Sequence, residues 1–284
     1  MSREMIGVLV IHGVGGQGAM PPQATDKLTF SRNMSRRVRQ KIGADATRIS
    51  WREVFWSDIL QCRQQAYMDS IREKTSADAA RAFMMAALSD AAAYRKTADG
   101  SAAIYEQIHA RVEMAVRDLE RDIGPDGQIL ILAHSLGGHI ISNHIYDLQR
   151  FAGRSGRGRF GSPLQNMRTV AGLMTFGCNI PIFLFGHRAE DVRPIGYPGE
   201  DLPEERQIVT WWQNFYDKQD ILAYPIGPVA PSYAKMVSDR HLRDVPINLG
   251  VPAKSGWDPL SHGRYWEDAE LIAPVVHYLS KMMV

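Results

Sequence analysis

Three uninterrupted apolar runs constrain this chain more than anything else in it: residues 5–11 (MIGVLVI), 128–133 (QILILA) and 169–176 (TVAGLMTF). None alternates polar with apolar residues, so a strand made from any of them must be buried on both faces, and each ends at small residues. Strands of that kind belong to parallel sheets, whose crossovers need a dozen or more residues and are commonly helical. A fourth run, 207–216 (QIVTWWQNFY), and a shorter one at 47–51 extend the series. Between them, residues 26–42, 103–123, 139–151 and 265–282 place apolar side chains at helical spacing. The pattern predicts an α/β fold, a mostly parallel β-sheet flanked by helices, built as one domain over residues 1–284.

Residues 57–97 are too long for a simple crossover and read as an inserted helical pair. Within it the Met84, Met85 and Leu88 stripe is expected to pack into the core, and Ser101 is expected to cap the helix that follows. With 45% hydrophobic and 23% charged residues, 284 residues are enough for a core that needs no disulfide or structural metal, which excludes disorder and coiled coil. No apolar run approaches the ~18 residues of a membrane span, and the start has no signal-peptide core. The two cysteines, Cys62 and Cys178, fit neither a disulfide framework nor a zinc site, so they read as reduced thiols of a cytoplasmic protein.

The residues that carry chemistry sit where these runs end. Ala133-His134-Ser135-Leu136-Gly137-Gly138 follows the second strand and opens a helix. A nucleophilic serine on a tight strand-to-helix turn needs small flanking residues, here Ala133 and Gly137, with Ala standing where G-x-S-x-G has its first glycine. The plain alternative is a helix start capped by Ser135. His12-Gly13-Val14-Gly15-Gly16 closes the first strand, and its turn can aim the Val14 N–H at an oxyanion also addressed by the N–H of Leu136. Gly13, Gly15 and Gly18 also match G-x-G-x-x-G, but Pro21-Pro22 interrupts the helix a dinucleotide site requires, and no acidic residue follows at the right distance.

A serine nucleophile needs an acid and then a base, in that chain order in such folds. Asp220 is the first choice for the acid and Asp217 the second, both after the 207–216 run. Among nine histidines, His262 lies in a Pro/Gly-punctuated segment before the last helix and is preferred over His241 and over mid-helix His109, His144 and His277. His134 neighbours the serine, so its side chain must point elsewhere.

Taken together, these segments resemble serine hydrolases of the α/β-hydrolase superfamily. They are most similar to esterases and lipases whose first strand runs into H-G and whose serine motif reads H-S-x-G. The likeness covers residues 5–16, 128–142, 169–177, 207–225 and 261–277. It implies Ser135 as nucleophile, His262 as general base, Asp220 as its orienter, and the Val14 and Leu136 backbone N–H groups as oxyanion hole. It further implies a carboxylic ester or lipid substrate, no cofactor, no metal, and a mobile helical cap made by 57–97 or by 179–203. Thioesterase and acyltransferase activities would use the same residues, and a hydrolase-fold binding protein without catalysis is the reading from another class.

The net charge of +2, from 33 basic and 31 acidic residues, gives no global field for nucleic acid or membrane. Locally, residues 149–189 hold no acid but six arginines: Arg150, Arg154, Arg157, Arg159, Arg168 and Arg188. Such a stretch is commonly a solvated loop. The sharper expectation is peripheral contact with anionic lipid through Arg150, Arg154, Arg157 and Arg159.

Overall fold

A computed structural model describes residues 4–14, 27–76, 79–95, 103–250 and 261–284. Gly15, Gly16, Gly18, Pro21, Pro22 and Ser101 lie outside the described residues. In chain order the elements are β1 (Ile6–Ile11), α1 (Arg32–Ile42), β2 (Ile49–Val54), α2 (Asp58–Ser70), α3 (Ala79–Ala93), α4 (Ala103–Ile123) and β3 (Ile129–His134). They continue with α5 (Leu136–Ser155), β4 (Val170–Phe176), α6 (Ile180–Leu184), β5 (Trp212–Asp217), α7 (Pro231–Ser238), β6 (Leu242–Ile247) and α8 (Ala269–Met282).

The six strands form one sheet in the order β2-β1-β3-β4-β5-β6, and every pairing is parallel. β1, β3 and β4 are buried along their whole length, as their uninterrupted apolar sequences require. Alternate residues feed two cores. Leu9, Ile11, Ile129, Ile131 and Leu173 pack with α4 and α5, while Ile6, Val8, Val10, Leu130 and Met174 pack with α1 and α8. Because all strands run the same way, their carboxyl ends share one edge, and the loops there carry His12, Ser135, Cys178 and Asp220.

Several boundaries differ from expectation. The strand expected at 207–216 begins only at Trp212; Val209 is 65% exposed and cannot belong to a strand buried on both faces. β6 was hidden in the sequence because an edge strand tolerates the Arg243, Asp244 and Pro246 that break an apolar run. The helix expected from 139 starts at Leu136, directly after Ser135. The last helix starts at Ala269, since Ser261–Glu267 forms a separate 3-10 turn.

The Met84, Met85 and Leu88 stripe does not pack as expected. Met84 and Leu88 are 46% and 63% exposed, and the inward face of α3 is set one position away, at Phe83, Ala87 and Asp90. Tyr94, just past the helix, continues that face. The six-arginine stretch is also less unbalanced in space than in sequence. Arg168 pairs with Glu200 and Asp201, and Arg188 with Glu190, all acids from beyond it. Arg150 lies over the Tyr146 ring and Arg159 over Phe160.

Beneath α3 the core is polar. Tyr94 Oη and His109 Nε2 share a hydrogen bond of 2.8 Å, and His109 and His144 meet at 3.2 Å. Burial pushes His144 down to about 4, and His12 and His139 to about 3. These imidazoles stay neutral in the fold at pH values where the unfolded chain protonates them near 6.5. Their stabilising contribution is therefore complete above that value and lost as pH falls toward 4, at about 1.4 kcal/mol per pH unit for each histidine. Urea unfolding between pH 7 and 4.5 should show this decline, and His144→Gln should make it shallower. A profile that stays flat down to pH 4.5 would mean these rings are already charged in the folded protein.

Candidate active site

The end of β3 fixes the geometry of the site. Ser135 is the residue between strand and helix and has φ 52° and ψ −126°, a conformation that costs a non-glycine residue about 1–3 kcal/mol. Its N–H donates to Phe176 O at 2.9 Å, which extends the β3–β4 pairing through the bend. The end of β1 presses on the other side. A Cβ on Gly137 would come within 2.7 Å of His12 O, and one on Gly13 within 2.3 Å of Ser135 Cβ. Only glycines let β1, the serine and the first turn of α5 approach this closely.

His262 reaches Ser135 from the 3-10 turn 127 residues later. Its Nε2 lies 2.7 Å from Ser135 Oγ, and its Nδ1 lies 2.8 Å from Asp220 Oδ2. All three side chains are buried. Asp220 follows β5 and also accepts the Leu222 N–H on Oδ1 at 3.0 Å. Asp217, the other sequence candidate, points elsewhere: its oxygens accept the N–H groups of Gln219 and Leu249, both at 2.8 Å, and tie the turn after β5 to the chain after β6. The structure thus brings Ser135, His262 and Asp220 into one hydrogen-bonded chain and leaves Asp217 outside it. His241 and His277 are exposed, and His109 and His144 belong to the α4–α5 core.

The first glycine turn is held by His12, which is completely buried. Its Nε2 accepts the Trp56 N–H at 3.1 Å, so Nδ1 carries the proton and donates to Gly13 O at 2.8 Å. The Gly13 carbonyl therefore faces His12, and in a planar trans peptide the Val14 N–H points the opposite way. Leu136 is the first residue of α5, so its N–H is one of those the helix leaves unpaired. His12 also stacks on Trp56, with centroids 4.8 Å apart and planes 9° off parallel.

α3 and α6 each place an aromatic ring near the site. Phe83 of α3 meets the His262 ring edge-on at 6.2 Å, and Phe183 of α6 stacks on His139 at 4.2 Å. A cavity of about 290 Å³ runs along α5, lined by Ile180, Leu184 and Tyr233 and by the charged Arg150, Asp191 and Arg193. The apolar run 180–185 is divided in use: Ile180 and Pro181 are buried, whereas Ile182 and Phe185 are exposed. Among the described residues, no group of three or more His, Cys, Asp or Glu could hold a metal ion, and no helix is long and apolar enough to cross a membrane.

Sequence reading gave no role in the site to three neighbours of this chain, although His12 and His134 stand within the motifs it singled out. His134 Nε2 bonds to His262 O at 2.8 Å, Tyr265 Oη donates to Asp220 Oδ2, and His12 sets the Gly13 peptide. The single available signal was position: each sits within three residues of a residue already singled out.

A parallel sheet in this order, a serine on a strained strand-to-helix elbow, and Ser, Asp and His in that chain order decide the architecture. The fold is a six-stranded, all-parallel sheet flanked by helices with a serine at a strand-to-helix elbow, the architecture that the resemblance to α/β-hydrolases implies. No family description matches the chain, and no curated protein matches it by sequence. Among solved structures, an acetylxylan esterase is similar over 100% of both chains at 11% identity, with a TM-score of 0.40. A cutinase-like protein from Cryptococcus sp. is similar over 99% of this chain and 97% of its own, at 10% identity and a TM-score of 0.40. A poly(3-hydroxybutyrate) depolymerase from Bordetella parapertussis is similar over 96% and 84%, at 14% identity and a TM-score of 0.32.

The hydrolase elbow makes a direct prediction. Gly13→Ala inserts a methyl group into the 2.3 Å gap beside Ser135 Cβ and should lower stability by about 1–3 kcal/mol, read from urea unfolding. An unchanged midpoint would mean the turn can withdraw from the serine without cost.

Proposed function

We propose that this chain is a serine hydrolase that cleaves a carboxylic ester with an apolar acyl group through an acyl-enzyme on Ser135. The observation that carries this reading is the continuous path from Ser135 Oγ to His262 Nε2 at 2.7 Å and from His262 Nδ1 to Asp220 Oδ2 at 2.8 Å. In the first half-reaction His262 takes the Ser135 proton as Oγ attacks the ester carbonyl, then gives that proton to the leaving alcohol. Asp220 keeps the proton of the neutral ring on Nδ1 and stabilises the imidazolium that forms. In the second half, His262 activates water, which releases the acid and restores Ser135.

The tetrahedral oxyanion is proposed to lie between the N–H groups of Val14 and Leu136. Support for the first is the His12–Gly13 hydrogen bond, which turns the Val14 N–H away from the imidazole. Support for the second is its place at the positive end of α5, a 20-residue helix. The cavity along α5 is assigned to the substrate, with Leu184 and Tyr233 for an apolar acyl group and Arg150, Asp191 and Arg193 for polar contacts. α2 and α3 are assigned the role of cap, since Phe83 rests on His262. A cytoplasmic location, supported by the two free thiols, and anionic-lipid contact through Arg150, Arg154, Arg157 and Arg159 belong to the same proposal.

A fluorophosphonate probe should label wild-type protein at Ser135, and Ser135→Ala should abolish both labelling and hydrolysis of short p-nitrophenyl esters while leaving the fold intact. His262→Ala should lower both by several orders of magnitude. Undiminished turnover in Ser135→Ala would sink the assignment. A wild-type protein that the probe never labels would point instead to a binding protein built on the hydrolase fold.

A further inference from the structure

The geometry points to Tyr265 as a positioning residue that holds the Asp220 carboxylate in register with His262, an inference that rests on the esterase reading. Tyr265 and His262 share the 3-10 turn Ser261–Glu267, three residues apart. A 3-10 helix has three residues per turn, so side chains at i and i+3 eclipse and lie on one face. Here both reach the same atom: His262 Nδ1 lies 2.8 Å from Asp220 Oδ2, and Tyr265 Oη lies 3.0 Å from it.

The direction of the tyrosine's hydrogen bond is fixed. Tyr265 is completely buried, and its hydroxyl already accepts the Asp217 N–H at 3.0 Å. That N–H can only donate, so the single hydroxyl proton is left for Asp220. Asp220 then has Oδ1 held by Leu222 N–H and Oδ2 shared between Tyr265 and His262. A carboxylate fixed at both oxygens cannot rotate away when the imidazole charges. Tyr265 also bridges Asp217, the last residue of β5, and Asp220 just beyond it, tying the turn that carries Asp220 to the turn that carries His262.

Sharing one oxygen between two donors has a chemical consequence. Each donor draws on the same negative charge, so the tyrosine tempers how strongly Asp220 stabilises the imidazolium. Among the described residues, the other titratable side chains packed on this cluster are His134 at the end of β3, with its ring 4.8 Å from that of His262, and Asp217 at the end of β5. Burial keeps His134 neutral, and it approaches the His262 backbone rather than the carboxylate. Phe83 meets the cluster from α3 and carries no charge.

Tyr265→Phe removes the hydroxyl and leaves the ring packed against Phe176 and His134. Positioning predicts kcat lower by about tenfold, the size of one hydrogen bond to a charged group, with KM unchanged. It also predicts an acid limb of kcat/KM moved up by about half a pH unit and the imidazole N–H resonance of the free protein moved downfield. A purely structural tyrosine would lower the unfolding midpoint and move none of these three, and that result would overturn the inference. Should Tyr265→Phe fail to fold, 3-fluorotyrosine at position 265 keeps the hydroxyl and makes it a stronger donor. The acid limb and the resonance should then shift in the opposite directions, and no shift in either would overturn the inference. The resonance is read without substrate and fluorophosphonate labelling is read on wild-type protein, so failure of the esterase reading and failure of the Tyr265 inference are told apart.

Discussion

Everything at the site depends on one strained residue. The backbone of Ser135 holds a conformation that a side-chain-bearing residue avoids, and it does so because three neighbours leave no alternative. Phe176 O accepts its N–H from the β4 side, Gly13 touches it from the β1 side, and α5 starts at the next residue. Relaxing the elbow would break the sheet pairing or drive the first turn of α5 into the His12 and Ile11 carbonyls. The cost of the strain is thus set against the burial of three whole strands, which is far larger. What results is a hydroxyl held at the carboxyl edge of the sheet, where chain segments distant in sequence can converge on it.

That convergence explains why so much hydrogen bonding surrounds so few charges. Asp220 is 4% exposed and, among the described residues, pairs with no Lys or Arg, so its carboxylate must be satisfied by donors. Leu222 N–H, Tyr265 Oη and His262 Nδ1 supply them. Asp217 solves the same problem with two backbone N–H groups, and it thereby fixes the geometry from which Asp220 departs. His12 does comparable work for the glycine turn without carrying charge at all, since burial lowers it to about 3.

How much of this was legible in the sequence follows from the range of each interaction. β1, β3 and β4 were readable because a strand buried on both faces has no polar positions to confuse the pattern, and Ser135 because its turn needs small residues within two positions. Asp220 and His262 were reachable by chain order and loop placement, with Asp220 preferred and Asp217 second; both aspartates are buried, and only the geometry shows which carboxylate meets His262. β6 was not legible because an edge strand carries mixed residues. Neither was the face of α3. Two interleaved stripes, Phe83-Ala87 and Met84-Leu88, have equal helical spacing, and only the neighbours below decide which turns inward.

The face of α3 that turns outward also bears on how an ester would enter. Ser135, His262 and Asp220 are all buried, and on the proposed reading a substrate reaches Oγ only when a covering group moves. Trp56, beside the glycine turn, is held in place, because its indole N–H donates to His12 O and its ring stacks on the imidazole that holds the Val14 peptide. Phe183 is stacked on His139, whose position is fixed by α5. Phe83 makes an edge contact with His262 and is only half-buried, and its helix is joined to α2 through the Gln64 contacts with Ser89 and Asp90. Displacing α3 therefore exposes His262 while leaving the elbow, the glycine turn and the Asp220 hydrogen bonds in place. On the proposed reading, the inserted helices are therefore the cap, placed so that its displacement would leave the chemistry beneath it undisturbed.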